Sequence, residues 1–323
     1  MSGVIMENEI PMIVTAIGIG HCRGRRVDWN SDCADGEIYR IDYIYSLTLN
    51  FRDMNVKEAI EKRKSVRNYD SRPLPEATIG KLREFMEEAE SPFGGKWQLA
   101  LQYVGDEFDP SFSPGTYGVI HGAKTYFLVG HDPEDINAAL SAGYAMEDVV
   151  VKATMMKLGT CWLGGTFRKS AFTAAENFEE DVKLLEVVAV GQAAKRSGMM
   201  NSLMRTMAGS SRRKPVEELF FETQPCRYLG VGNRWRRPLE LMRWAPSSTN
   251  SQPWRAIVHG DRVDFFTARE GDMAYIDMGI GLRHFSLGAD EAGLHGEFRK
   301  MESVPTPDDW VYVTSYFRDG YDD

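Results

Sequence analysis

Ten residues late in the chain, 245–254, read Ala-Pro-Ser-Ser-Thr-Asn-Ser-Gln-Pro-Trp. Small hydroxyl and amide side chains favour turns, yet this run ends in Trp254, followed by Ala256, Ile257 and Val258, which reads as a strand entering a core. So many donors and acceptors between an apolar helix and an apolar strand suit the edge of a heteroaromatic ligand. An ordinary helix-to-strand connection is the other reading. Two stretches upstream carry further chemistry. Arg63-Lys64-Ser65-Val66-Arg67-Asn68-Tyr69 concentrates cations near the end of a short helix, either for an anionic group or as a solvated basic face. Gly159-Thr160-Cys161-Trp162-Leu163-Gly164-Gly165 is a glycine-rich loop in which backbone can approach a ligand closely. Cys161 stands without a histidine in any partner motif, so nucleophilic catalysis is not expected of it.

Composition narrows the partners. The chain has 323 residues, 43% hydrophobic and 26% charged, with room for a large core in one domain or two. A net charge of −9 and a pI near 5.3 argue against nucleic acid or an anionic membrane as the main partner. The four cysteines, Cys22, Cys33, Cys161 and Cys226, form no C-x-x-C pair, so a disulfide framework is not expected and a reducing cytoplasm is. There is no run of 18 apolar residues to span a membrane and no signal-peptide pattern at the start. His21, Cys22 and Cys33 match no zinc spacing, and Gly18, Gly20 and Gly24 are spaced G-x-G-x-x-x-G with no amphipathic helix behind them. No metal site is expected. Residues 1–53 read as an appendage, or as an extension upstream of a natural start at Met54.

The elements that would position these stretches follow from periodicity. Asn55 with Glu58 resembles a capping box before a short helix. Pro73, Pro75 and Glu76 announce a second helix, with Ile79, Leu82, Phe85, Met86 and Ala89 at helical spacing. A turn at 91–95 precedes a strand over 97–104; 125–129 and 184–190 are buried strands, and 133–158 is a long helix apolar on most sides.

The second half repeats this order. Residues 63–66 find a counterpart in 213–216, the helix and turn at 85–95 in 241–250, and the helix 139–158 in 274–294, with Gly143 opposite Gly279. We expect an α+β protein in which 54–200 and 201–323 are related halves, packed as an internal pseudo-dimer around antiparallel or mixed sheets. The first half keeps the basic stretch and the glycine loop; the second keeps the polar turn. A site between the halves would then be complete once per chain, its mirror image degraded.

Together, residues 63–69, 159–165 and 246–254 resemble the three signature stretches of the FMN-dependent nitroreductase family. The likeness spans about 54–300, and the third stretch, displaced onto the second half, is similar to the fused single-chain branch of that family. The resemblance implies a nitroreductase-like fold and one FMN per chain. Arg63, Lys64, Ser65 and Arg67 would hold the phosphate, with Lys195 and Arg196 reaching it from the end of a buried strand. Pro246, Ser247, Ser248 and Asn250 would meet the ring and ribityl chain, with Gln252 either at the pyrimidine edge or capping the turn. Leu163 and Gly164 would bring backbone N–H groups to the flavin N5. No side chain would be catalytic, since the flavin carries the chemistry: hydride from NAD(P)H, then electrons to a small nitro- or quinone-like acceptor, in ping-pong order. Two alternatives stay open, a flavin-dependent dehydrogenase or desaturase of a metabolite, and a non-catalytic FMN carrier or sensor.

Overall fold

The computed structural model describes residues 54–104, 120–165, 167–194, 212–223 and 227–320. The chain divides at Arg52 and Asp53, and the architecture below belongs to the unit Asp53–Asp323. Residues 1–53, Lys195 and Arg196 lie outside the described residues.

Two helices open the fold. α1 (Val56–Lys62) starts where the Asn55 side chain accepts the Glu58 N–H at 2.8 Å, and α2 (Glu76–Glu87) follows Pro75, whose fixed φ suits a helix entry. Next come β1 (Trp97–Tyr103), β2 (Thr125–His131), the long α3 (Ile136–Met155), β3 (Gly159–Gly164) and β4 (Lys183–Gly191). These strands form an antiparallel sheet ordered β1-β2-β4-β3. Every residue of β2 is buried, as the apolar run Tyr126-Phe127-Leu128-Val129 led us to expect of a central strand.

The second half opens with β5 (Phe220–Glu222) and α4 (Arg236–Arg243). It continues through β6 (Trp254–His259), β7 (Arg262–Thr267), the long α5 (Asp272–Glu291), β8 (Gly296–Arg299) and β9 (Val311–Arg318). Its sheet is ordered β5-β6-β7-β9-β8. Without β5, the order β6-β7-β9-β8 repeats β1-β2-β4-β3, with one long helix between the second and third strands in each half.

One part of the expected repeat is corrected. Residues 63–66 lie beside β3, with Ser65 bridging Thr160 and the Val66 N–H reaching the Thr160 carbonyl at 2.9 Å. Residues 213–216 instead lead into β5, which pairs in parallel with β6, the counterpart of β1. The two stretches sit at opposite sheet edges, so they are not counterparts. Their likeness is one of composition, two cations before an apolar residue.

α3 and α5 cross at the centre, and their glycines explain how closely. A Cβ on Gly143 would fall 2.3 Å from the Ile276 carbonyl oxygen, and one on Gly279 would fall 2.1 Å from that of Leu140. Each glycine meets the residue three positions before the other, so the contact is reciprocal, as at a two-fold interface. Side chains next along the helices follow the same exchange: Glu147 holds His284 at 2.8 Å, and Asp148 holds Arg283 at 2.7 Å. The sequence offset that relates Gly143 to Gly279 relates Glu147 to Arg283 and Asp148 to His284. These pairs are therefore images of each other.

Gly279→Ala should cost about 1–3 kcal/mol by forcing backbones apart. Gly80→Ala, on α2 with nothing within 4 Å of the added Cβ, should be neutral or stabilising. Urea unfolding of both variants checks this; equal effects would refute the close crossing.

Candidate functional site

Where the first half meets the second, the chain gathers positive charge. Arg63, just past the end of α1, buries its Nε and Nη1 without a hydrogen-bond partner among the described residues. Burial lowers its pKa, opposed by the nearby Glu147 carboxylate. Arg213 and Arg243 approach from the second half and flank Trp244, their guanidinium carbons 5.6 and 5.7 Å from its ring. Arg243 Nε is also buried without a described partner. Burial, then Arg63 and Arg243, pull the Arg213 pKa down to about 10. A half-buried guanidinium depressed by burial and by two neighbouring guanidiniums marks a place where an anion would relieve both burial and repulsion.

The other first-half candidates divide. The Ser65 hydroxyl is directed at the Cys161 thiol, which also feels Arg67 and Arg63. Burial outweighs these and pushes the thiol pKa up, so Cys161 is a neutral buried thiol. Lys64 is exposed, beside a cavity of about 180 Å³ that also borders Lys62, Arg63 and Lys157.

The 245–254 run crosses the seam as a strained turn. Thr249, Asn250 and Gln252 have φ of 52°, 56° and 47°, a left-handed region that costs about 1–3 kcal/mol for such residues. Arg213 Nη1 donates to Asn250 Oδ1 at 3.0 Å, and Asn250 Nδ2 donates to the Arg212 carbonyl at 2.8 Å. Gln252 Oε1 accepts the Lys214 N–H at 2.8 Å, and its Nε2 donates to the Asn250 carbonyl at 3.2 Å. Both amides thus serve the Arg212-Arg213-Lys214 segment and fix Arg213, with Gln252 in its capping role. Ser247 Oγ accepts the Gln252 N–H at 2.9 Å, which closes the turn. Pro246 is buried and Ser248 half-buried.

Gly164 ends β3, the outer strand of its sheet. Its missing side chain leaves room, which the Met273 methyl of α5 occupies, 2.3 Å from where a Cβ would stand. Leu163 is buried beside it. Glu186 lies opposite Gly164 on β4, and Asp277 of α5 accepts the Ser248 N–H at 2.8 Å and the Ser251 hydroxyl at 3.3 Å.

Arg213 and Glu186 are among the groups that escaped the sequence reading. Arg213 was visible as a cation, but pairing 213–216 with 63–66 placed it at the mirror position. Glu186 stood in the apolar run 184–190, where one carboxylate among valines was the available signal.

Arg63→Met should stabilise the ligand-free chain by about 1 kcal/mol, because it removes a buried charge whose donors are unmet. Inorganic phosphate should raise the melting temperature of the original chain and not of the variant. Equal responses in a thermal-shift titration would contradict an anion site at Arg63.

The family model described as "Putative TM nitroreductase" matches residues 55–289. A crystal structure of a putative nitroreductase from Thermotoga maritima MSB8 superposes with TM-score 0.55 at 19% identity, covering 83% of this chain and 96% of that one. A nitroreductase with bound FMN from Bacteroides fragilis NCTC 9343 aligns at 22% identity and TM-score 0.36, covering 44% of this chain and 90% of that one. No curated protein sequence matches the chain. With the family model covering most of its length, the chain belongs to this nitroreductase family.

Proposed function

We propose that the chain is an FMN-dependent oxidoreductase with one flavin site, built between its two halves. The observation that carries this reading is the guanidinium cluster of Arg63, Arg213 and Arg243, with buried unmet N–H donors on Arg63 and Arg243. A phosphate dianion supplies the acceptor oxygens and the charge that such a cluster lacks. Arg63 and Arg213 would anchor it from opposite halves, with Ser65, Arg67 and Lys64 near the same end and Lys195 and Arg196 as further candidates. Pro246, Ser247 and Ser248 would cover the ring from the second half, while Asn250 and Gln252 hold the segment that carries Arg213. Leu163 and Gly164 would form the opposite wall, and Met273 would swing off Gly164 when a ring enters, as an unbranched thioether side chain can. When bound, FMN supplies two-electron transfer from NAD(P)H to a small oxidised acceptor of nitro or quinone type. The protein's part is to hold and orient the flavin and to leave one face open.

Met273 also favours a second reading. A methyl group seated over Gly164 suits a chain that binds flavin and does not turn over. Anaerobic NADH or NADPH separates the two. The oxidoreductase reading expects the FMN-loaded chain to lose its yellow colour and regain it with a quinone. Colour that persists under either nucleotide would favour the binder. A chain that takes up no FMN at all would overturn both.

A further inference from the structure

Glu186 is 2% exposed, and its Oε2 has no hydrogen-bond partner among the described residues. It faces Gly164 across the β3–β4 ladder, its Cγ 3.9 Å from where a Gly164 Cβ would stand. Asp277, 4% exposed, comes from α5 in the other half and holds the polar turn through Ser248 and Ser251. The charged groups around them are Lys169 from the 3-10 helix Lys169–Ala171 and Asp272 from the first turn of α5, both acting on Glu186, and Arg269 from the loop before α5, acting on Asp277.

A neutral residue can do the holding. In the first half the helix position related to Asp277 by the Gly143–Gly279 offset is Ser141, whose hydroxyl bonds the Gly94 carbonyl at 2.6 Å and Ser91 at 2.9 Å. The matching stretch of β9, Tyr312-Val313-Thr314, carries no carboxylate. The two carboxyls therefore occur together only where the polar turn is kept.

We propose that Glu186 and Asp277 are positioning residues that hold one proton at the seam, on Glu186, and that this proton keeps the turn at 246–252 in place on α5. For the ligand, the proposal rests on the flavin reading above. The proton belongs on Glu186 because the two donors at Asp277 favour its ionised form, whereas Glu186 Oε2 has none. Burial, then the Asp277 and Asp272 charges, raise the Glu186 pKa to about 8; burial raises that of Asp277 to about 7 against the pull of Ser248 and Ser251. When the proton leaves for solvent, a carboxyl becomes a carboxylate and the seam holds two buried like charges: Glu186 Cγ and the methyl of Met273, one helical turn before Asp277, meet at the same point beside Gly164. Asp277 is bonded to the turn, so relief comes by moving Asp277 and the turn away from Glu186, and the ring loses its cover.

The ligand-free chain tests the pair first. Difference infrared spectroscopy at pH 7 should show a protonated carboxylic acid that Glu186→Gln removes. Because burial raises the folded pKa, Glu186 destabilises the fold increasingly as pH climbs from 4.5 to about 8. Glu186→Gln should therefore melt close to the original chain at pH 5 and higher at pH 8. FMN fluorescence titration then tests the coupling. Affinity should fall about tenfold from pH 7 to 9 in the original chain, as loss of one required proton near pH 8 dictates, and stay level in Glu186→Gln. Absence of the acid band, or equal pH slopes in both proteins, would overturn the proposal. Failure of every variant to bind FMN at any pH would overturn the flavin reading and the proposed effect on the ring, leaving the band and the melting curves to decide the shared proton.

Discussion

The crossing of α3 on α5 is the constraint on which the rest depends. Two helices approach so closely at Gly143 and Gly279 that a single added carbon would overlap backbone oxygen on the partner. Close backbone approach admits one register, and the reciprocal pairs Glu147–His284 and Asp148–Arg283 lock it. Glu147 and His284 are both fully buried, so their bond forms in a low dielectric and breaking one side would leave the other unmet. Glu147 also accepts the Trp162 indole N–H at 2.8 Å, and its charge acts on Arg63. Seam and site thus share a residue. A shift of the helices would move β3 and Arg63 relative to the turn and Arg213.

Divergence between the halves shows in what each turn does. In the first half, the turn at 91–95 packs down on the start of α3, where a Cβ on Gly95 would fall 2.4 Å from the Ala138 nitrogen. Phe93 fills the space above, 5.2 Å from Phe298 and edge-on to Tyr144. In the second half, strained polar residues hold a cation-bearing segment in place. One turn closes its position with aromatic packing, the other keeps hydrogen-bonding groups at the seam.

Much of this was legible in the sequence because it rests on local pattern. The long helices, the buried strands and the two turns all follow from periodicity and turn chemistry, and the repeat followed from their order. What escaped depends on partners distant in sequence. Whether 213–216 lies at the β3-like or the β1-like edge is decided by strand pairing with β6, which no local pattern encodes. Lys64 and Arg63 are adjacent and alike in charge, yet Lys64 is exposed and Arg63 half-buried with its Nε and Nη1 out of solvent, because direction out of α1 separates them. Glu186 looked like an interruption of a strand until Gly164 and Asp277 were seen beside it. Asn250, expected at a ring edge, and Gln252, expected there or capping the turn, bond the Arg212-Arg213-Lys214 segment, contacts visible only once that segment is placed.

The central claim is that one anion-anchoring site draws cations from both halves. A double-mutant cycle on FMN binding by isothermal titration, with Arg63→Ala, Arg213→Ala and the pair together, tests it most directly. If both guanidiniums hold one phosphate, each single change weakens binding and the double change costs clearly less than the sum, a coupling of about 0.5–3 kcal/mol. Strict additivity, or full affinity in either single variant, would contradict a site shared across the seam.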